Sequence, residues 1–164
     1  MIRKSVTILM MGTALSLCAE DVRFGVQAGL AIPAADLSNN GSLGIEAGGH
    51  AKWNIGNGHG LMPQANINIY TANHSVNVTG LSLACDYTYH VEQRPTGFYL
   101  LAGLNEATYH TSWSNHSSND TSLGIDLGLG YDLDRHMGMQ ARYTSNSFNS
   151  VTYGALNVGV TYTF

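Results

Sequence analysis

The final nine residues set the pattern that organises the whole chain. Leu156, Val158, Val160, Tyr162 and Phe164 alternate with Asn157, Gly159, Thr161 and Thr163. Successive side chains of an extended strand point to opposite faces, so this segment has one apolar face and one small or polar face. A half-buried strand of a soluble sandwich shows the same alternation once; here it recurs along the chain. Val22, Phe24, Val26, Ala28, Leu30 and Ile32 alternate with Arg23, Gly25, Gln27, Gly29 and Ala31. The same period predicts strands over 43–53, 61–70, 81–91, 123–133 and 137–144. An eighth strand falls at 97–109, where Leu101 interrupts the polar face and the alternation fades near Glu106.

Eight strands of about ten residues match the length a tilted strand needs to cross a hydrocarbon layer. The expected fold is therefore all-β, an eight-stranded antiparallel up-and-down transmembrane β-barrel. The polar face supports this reading. A sandwich exposes that face to water and enriches it in Lys and Glu, whereas here it holds mainly Gly, Asn, Gln and Thr, as a narrow barrel interior requires. Short connections are expected at 56–60, 92–96 and 134–136, which would face the periplasm with both termini. Longer outer loops are expected at 33–42 and 111–121, and short connections around Asn73 and Phe148. Aromatic residues group toward both strand ends. Phe24, Trp53, Tyr89, Phe98, Tyr131, Tyr162 and Phe164 lie at one, and Tyr70, Tyr109, Trp113, Phe148 and Tyr153 at the other, as two interfacial girdles would require.

Composition narrows the class further. Charged residues make up only 11%, against about 25% in ordinary soluble domains. Nineteen glycines disfavour long helices, and beyond the N-terminus there is no apolar run long enough for a membrane-spanning helix. The N-terminus itself reads as a secretory signal peptide over 1–19, with Arg3 and Lys4 ahead of an apolar stretch ending at Leu17-Cys18-Ala19. Processing as a lipoprotein at Cys18 is the rival, but Leu17 stands where that motif wants a small residue. The barrel domain would then be 20–164. It keeps Arg23, Lys52, Arg94, Arg135 and Arg142 as its only strong bases against eleven acids, a balance that leaves no basic patch for nucleic acid or anionic lipid. Cys85 would be its single cysteine, which leaves no intrachain disulfide and no cysteine metal site.

The run Leu156-x-Val158-x-Val160-x-Tyr162-x-Phe164 resembles the C-terminal assembly signal of bacterial outer-membrane barrels. The stretch from Gly128 through Asp132 and Arg135 to Tyr143 is similar to the penultimate hairpin of OmpA- and OmpX-type small barrels. Gly25-x-x-x-Gly29, followed by Pro33 and Asp36, resembles their opening strand. The resemblance covers nearly all of the mature chain and implies insertion by the barrel-assembly machinery into outer-membrane lipid. It does not choose among the adhesins, stability proteins, solute channels and enzymes that share the architecture.

Candidate chemistry is sparse. Arg23, Glu46, Lys52, Asp86, Asp126, Asp132 and Arg142 all fall on the inward face. They are read as a salt-bridged plug rather than a selective pore, because an eight-stranded barrel has room for little besides side chains and an inward charge needs a partner. His74, His110 and His116 are read as solvated loop residues, with no metal site and no cofactor implied. Arg142-Tyr143-Thr144-Ser145-Asn146-Ser147 resembles the serine region of outer-membrane lipid A deacylases. Tyr143 stands where those enzymes need a His to deprotonate the serine, and the last strand carries no acid to orient one. The expectation is a non-enzymatic barrel with a structural or surface-interaction role, meeting external ligands through its outer loops. A narrow solute channel is the alternative, and a lipid A-modifying enzyme ranks third.

Overall fold

The computed structural model describes residues 22–39, 41–72, 77–113, 116–148 and 151–164. The expected signal peptide, Cys18 included, lies outside the described residues. The elements are β1 (Val22–Ala35), a 3₁₀ turn (Asp36–Asn39), β2 (Gly41–Gly56), β3 (His59–Ala72), β4 (Asn77–His90), β5 (Gly97–Trp113), β6 (His116–Asp132), β7 (Met137–Phe148) and β8 (Val151–Thr163). Each strand pairs antiparallel with the next. β8 closes onto β1 from Gly25↔Thr163 to Ala35↔Tyr153, giving a closed barrel in sequence order.

The two-residue period divides the wall into an inside and an outside. Phe24, Leu30, Ile45, Leu83, Leu104, Leu127, Leu129 and Val158 all stand exposed on the outer face. The intervening positions are buried, as the strict alternation along most of β7 illustrates. An apolar exterior around a polar interior is the reverse of a water-soluble fold. The strand expected at 97–109, here β5, keeps its phase throughout. Leu101 points inward because it packs with Met62 and Tyr99 in a small apolar cluster, and Glu106 simply takes an outward position. β5 therefore runs unbroken to Trp113.

Many inward glycines sit in register beside a bulky neighbour. Gly130 pairs with Tyr99, Gly80 with Tyr109 and Gly103 with Asp86. A Cβ on Gly130 would fall 2.3 Å from the Tyr99 ring, and one on Gly103 would fall 2.1 Å from the Asp86 carboxylate. Large side chains enter this narrow lumen by lying over a strand that has none.

The start of β1 and the end of the chain meet at one end of the barrel, here called the base, where Phe164 N donates to Phe24 O at 2.8 Å. Its connections are tight. Asn57 and Gly58 both have positive φ, 53° and 81°, the geometry of the two-residue hairpin turn whose twist matches its strands. In the turn between β6 and β7, the Asp134 carboxylate accepts from the His136 N–H at 2.7 Å and the Met137 N–H at 2.8 Å. The Met137 and His136 amides hold that carboxyl below its ordinary range.

At the opposite end, the rim, the two expected long loops are largely absent. Strand β1 continues to Ala35 and β2 begins at Gly41, with only the 3₁₀ turn and Asn40 between them. Residues 111–121 are mostly ladder, since β5 and β6 pair as far as Trp113↔His116. The ladder carries the Ser, Thr and Asn of this segment: Thr108 meets Thr121 at 2.8 Å and His110 meets Asn119 at 2.6 Å. β6 outruns its other neighbour, because β6–β7 pairing stops at Gly124↔Asn146. The β5–β6 hairpin thus extends beyond β7 on one side, while β4 stays paired with β5 up to Asn77↔Ser112 on the other.

Candidate functional site in the barrel interior

The interior has three tiers. Arg142 on β7 anchors the middle one. Its Nη2 donates to Glu46 on β2 at 2.7 Å across the lumen, and both side chains are buried. Its Nη1 donates to the Gln64 carbonyl, which also accepts from Gln27 at 2.9 Å. The Gln64 amide in turn donates to Asp86. Asp126 accepts from Asn105 at 2.8 Å, and Asn146 donates to Asn105 at 2.6 Å. Asp86 and Asp126 flank Gly103 in register on either side. Side chains from β1, β2, β3, β4, β5, β6 and β7 therefore fill one cross-section. Glu46 is matched by a cation and Asp126 by an amide donor, as buried carboxylates require, whereas Asp86 has the Gln64 amide on one oxygen and no partner among the described residues on the other.

The rim tier is apolar. Ala31, Tyr70, Val78, Ala107, Tyr109 and Ala155 form a buried cluster, with Phe148 and Tyr153 packed against it. Tyr109 meets Tyr153 edge-to-face at 5.1 Å and Phe148 at 5.8 Å. Leu37, from the 3₁₀ turn, is 1% exposed and inserts into this cluster. The turn is pinned in place where Asp36 accepts from the Thr152 N–H at 2.8 Å. This corrects the expected rim girdle. Tyr70 and Tyr109 stand on inward positions and stopper the lumen, and Phe148 and Tyr153 lean onto them. The side chain of Trp113 lies outside the described residues. At the base, Phe24, Phe98, Tyr131, Tyr162 and Phe164 do face outward, with Trp53 and Tyr89 half-buried.

The base tier is cationic and partly open. Lys52 bonds Asp132 at 2.6 Å and lies 5.6 Å from the centre of the Tyr99 ring. His90 meets the other Asp132 oxygen at 3.1 Å, and Arg23 Nη1 donates to the Arg135 carbonyl at 2.7 Å. These groups surround a cavity of about 70 Å³ closed on its inner side by Met62 and Tyr99. Sequence reading missed the cavity and the part that His90 takes in it, since His90 stood in a polar-face run with nothing to single it out. Arg23, Lys52, Arg94 and Arg135 all lie at this end, whereas the rim connections contain no Lys or Arg.

The other predicted residues are placed as follows. Leu156, Val158, Val160, Tyr162 and Phe164 all lie exposed on the outer face of the closing strand. Ser145 pairs with Gly154 on β8, and the Tyr143 hydroxyl lies over that glycine. His110 faces outward, while the side chains of His74 and His116 lie outside the described residues. Among the described residues there is no group of three His, Cys, Asp or Glu that could hold a metal ion.

A closed barrel with an apolar belt outside and a largely polar interior defines an integral outer-membrane protein with its wall in lipid. The profile of the outer membrane protein beta-barrel domain family matches residues 5–164, and the chain belongs to that family, in the bacterial outer membrane. Among solved structures it is similar to Ail, the attachment invasion locus protein of Yersinia pestis, with a TM-score of 0.60 at 16% identity over 88% of this chain and 99% of that one. It is likewise similar to Neisserial surface protein A, with a TM-score of 0.56 at 21% identity over 87% and 97%. The N-terminal barrel domain of Pseudomonas aeruginosa OprF gives a TM-score of 0.57 at 16% identity over 87% and 97%. Ail has also been solved with the heparin analogue sucrose octasulfate. No curated protein sequence matches the chain significantly. At these identities the likeness is one of fold.

Membership sets an expectation for the outer face. Leu127 on β6 is 53% exposed and flanked in register by Ala102 and Tyr143. Leu127→Arg is expected to destabilise the barrel by about 2–4 kcal/mol, the usual cost of Arg near the bilayer midplane. Urea titration in phospholipid vesicles would measure it.

Proposed function

We propose that the protein is a non-conducting, non-enzymatic outer-membrane barrel that acts as a structural and surface-interaction element. The observation that carries this reading is the filled cross-section, in which the Arg142 network lies beneath the Tyr70–Tyr109 stopper. With the lumen occupied at two levels, the parts available to partners outside are the rim hairpins, above all the β5–β6 hairpin. The chemistry there is Asn, Ser, Thr and His with Asp36, Glu106 and Asp120, and without Lys or Arg. Such a rim suits neutral or cationic partners. It is unsuited to a sulfated glycan of the kind Ail was crystallised with, because like charges repel at close approach.

Export and assembly follow the same reading. The leader over 1–19 is removed, and the outward row from Leu156 to Phe164 is the surface presented to the barrel-assembly machinery. The narrow-channel alternative is tested by planar-bilayer conductance of the refolded mature protein. The expected result is a silent membrane with the barrel inserted. Steady, salt-dependent steps would overturn the sealed reading and make transport the function. An unchanged lipid A acyl pattern in cells expressing the protein would remove the enzyme.

A further inference from the structure

The base cavity has a charge imbalance that the fold itself does not balance. Arg23 on β1 and Lys52 on β2 are directly opposed in register, and like charges at opposed positions destabilise a sheet. Both also line the cavity, as does Arg94 from the turn after β4. Asp132 is the only acid among the lining residues, and it is already shared between Lys52 and His90. Arg23 makes its hydrogen bond to a carbonyl, that of another arginine, Arg135, and has no acidic partner among the described residues. Three cations against one carboxylate leave a surplus in a space closed above by Met62, Tyr99 and Leu101.

We propose that this cavity is an anion site for a phosphate group, entered from the base of the barrel and held by Arg23, Lys52 and Arg94. A tetrahedral oxyanion set between Arg23 and Lys52 turns their repulsion into a bridge. Arg94, exposed on its turn, closes over it with the planar fork that suits phosphate oxygens. The size agrees. A cavity of about 70 Å³ has room for several water-sized groups, enough for one phosphate group. The site lies beside the base aromatics, at the depth of lipid headgroups, so the group can come from an anionic phospholipid or from free phosphate. The rim has no counterpart, having no Lys or Arg.

Calorimetric titration of the mature barrel, refolded in an uncharged sugar detergent, would test this with two probes: inorganic phosphate and dihexanoylphosphatidylglycerol. Saturable binding at one site is expected, weakening as salt rises. A response to both probes marks free phosphate as sufficient, and a response to the lipid alone marks the headgroup as the source. Arg94→Gln is expected to weaken binding about tenfold, the equivalent of one lost charge-assisted contact. Arg23→Gln with Arg94→Gln should abolish it, while Asp120→Asn at the rim should leave it unchanged. The gel mobility shift between folded and heat-unfolded barrel verifies that each variant is folded. Absence of saturation with both probes, or equal affinity in folded wild type and folded double variant, would overturn the site.

Discussion

Replacing Arg142 with methionine is expected to cost about 3–5 kcal/mol of stability, the range found when one partner of a buried ion pair is removed. The cost comes from what is left behind. Glu46 loses the guanidinium 2.7 Å away, and Gln64 loses the donor that holds its carbonyl between Arg142 and Gln27. Asp86 and Asp126 remain buried in the same tier, so three carboxyl groups would share an interior with no cation at their level. Removing both partners, Glu46→Leu with Arg142→Met, should restore most of the loss, because two apolar side chains leave no unpaired charge. Urea unfolding of the four proteins of this cycle in one lipid measures the coupling directly. A single-variant loss under about 1 kcal/mol would mean that the pair does not hold the barrel together, since that is the scale of an exposed ion pair.

The second large effect is expected at the rim. Tyr109→Ala removes a 3%-exposed ring that meets Tyr153 and Phe148 edge-to-face, and it uncovers Gly80, the bare strand position on which that ring rests. Truncation of a buried aromatic costs about 3–5 kcal/mol. Leu37 would lose part of the cluster it inserts into, and water would reach the polar middle tier from above. Thermal unfolding in vesicles should show the loss of stability. Brief conductance openings should appear in planar bilayers, made more frequent by adding Leu37→Ala. A silent but destabilised Tyr109→Ala barrel would locate the seal in the Arg142 tier instead.

Much of this architecture is legible in the chain, and the reason is the solvent. Lipid demands an apolar side chain at every second position, so the rows from Val22 to Ile32 and from Leu156 to Phe164 can be read without a structure. The lumen makes no such uniform demand. It accepts Leu101 beside Met62 and Tyr99 as readily as Gln27 beside Gln64, which is why β5 looks broken in sequence and is continuous in space. Tyr70 and Tyr109 have the composition of a girdle and the parity of an interior, and parity decides. The partners of the seven inward charges were beyond reach for a different reason. Glu46 and Arg142 stand on β2 and β7, which share no ladder, so their meeting depends on how far the strands are staggered round the barrel. The glycines were legible as small residues but not as seats, because the neighbour each one accommodates is fixed only by the register.

The gathering of Arg23, Lys52, Arg94 and Arg135 at the base has a consequence for how the chain enters the membrane. A hairpin can reach the far surface only by passing its connection through hydrocarbon, where Arg or Lys costs about 2–4 kcal/mol and Asp or Glu less. The four rim connections carry no Lys or Arg, so they are the cheaper ends to translocate. The base turns hold their cations on the side where insertion begins. The same asymmetry opposes the inverted topology, since every base turn pulled across would bring a strong cation or the Asp134 carboxylate through the bilayer, or, in the turn after β2, draw Lys52 behind it. The placing of these four basic residues thus acts as a one-way bias on insertion, set before any strand has paired.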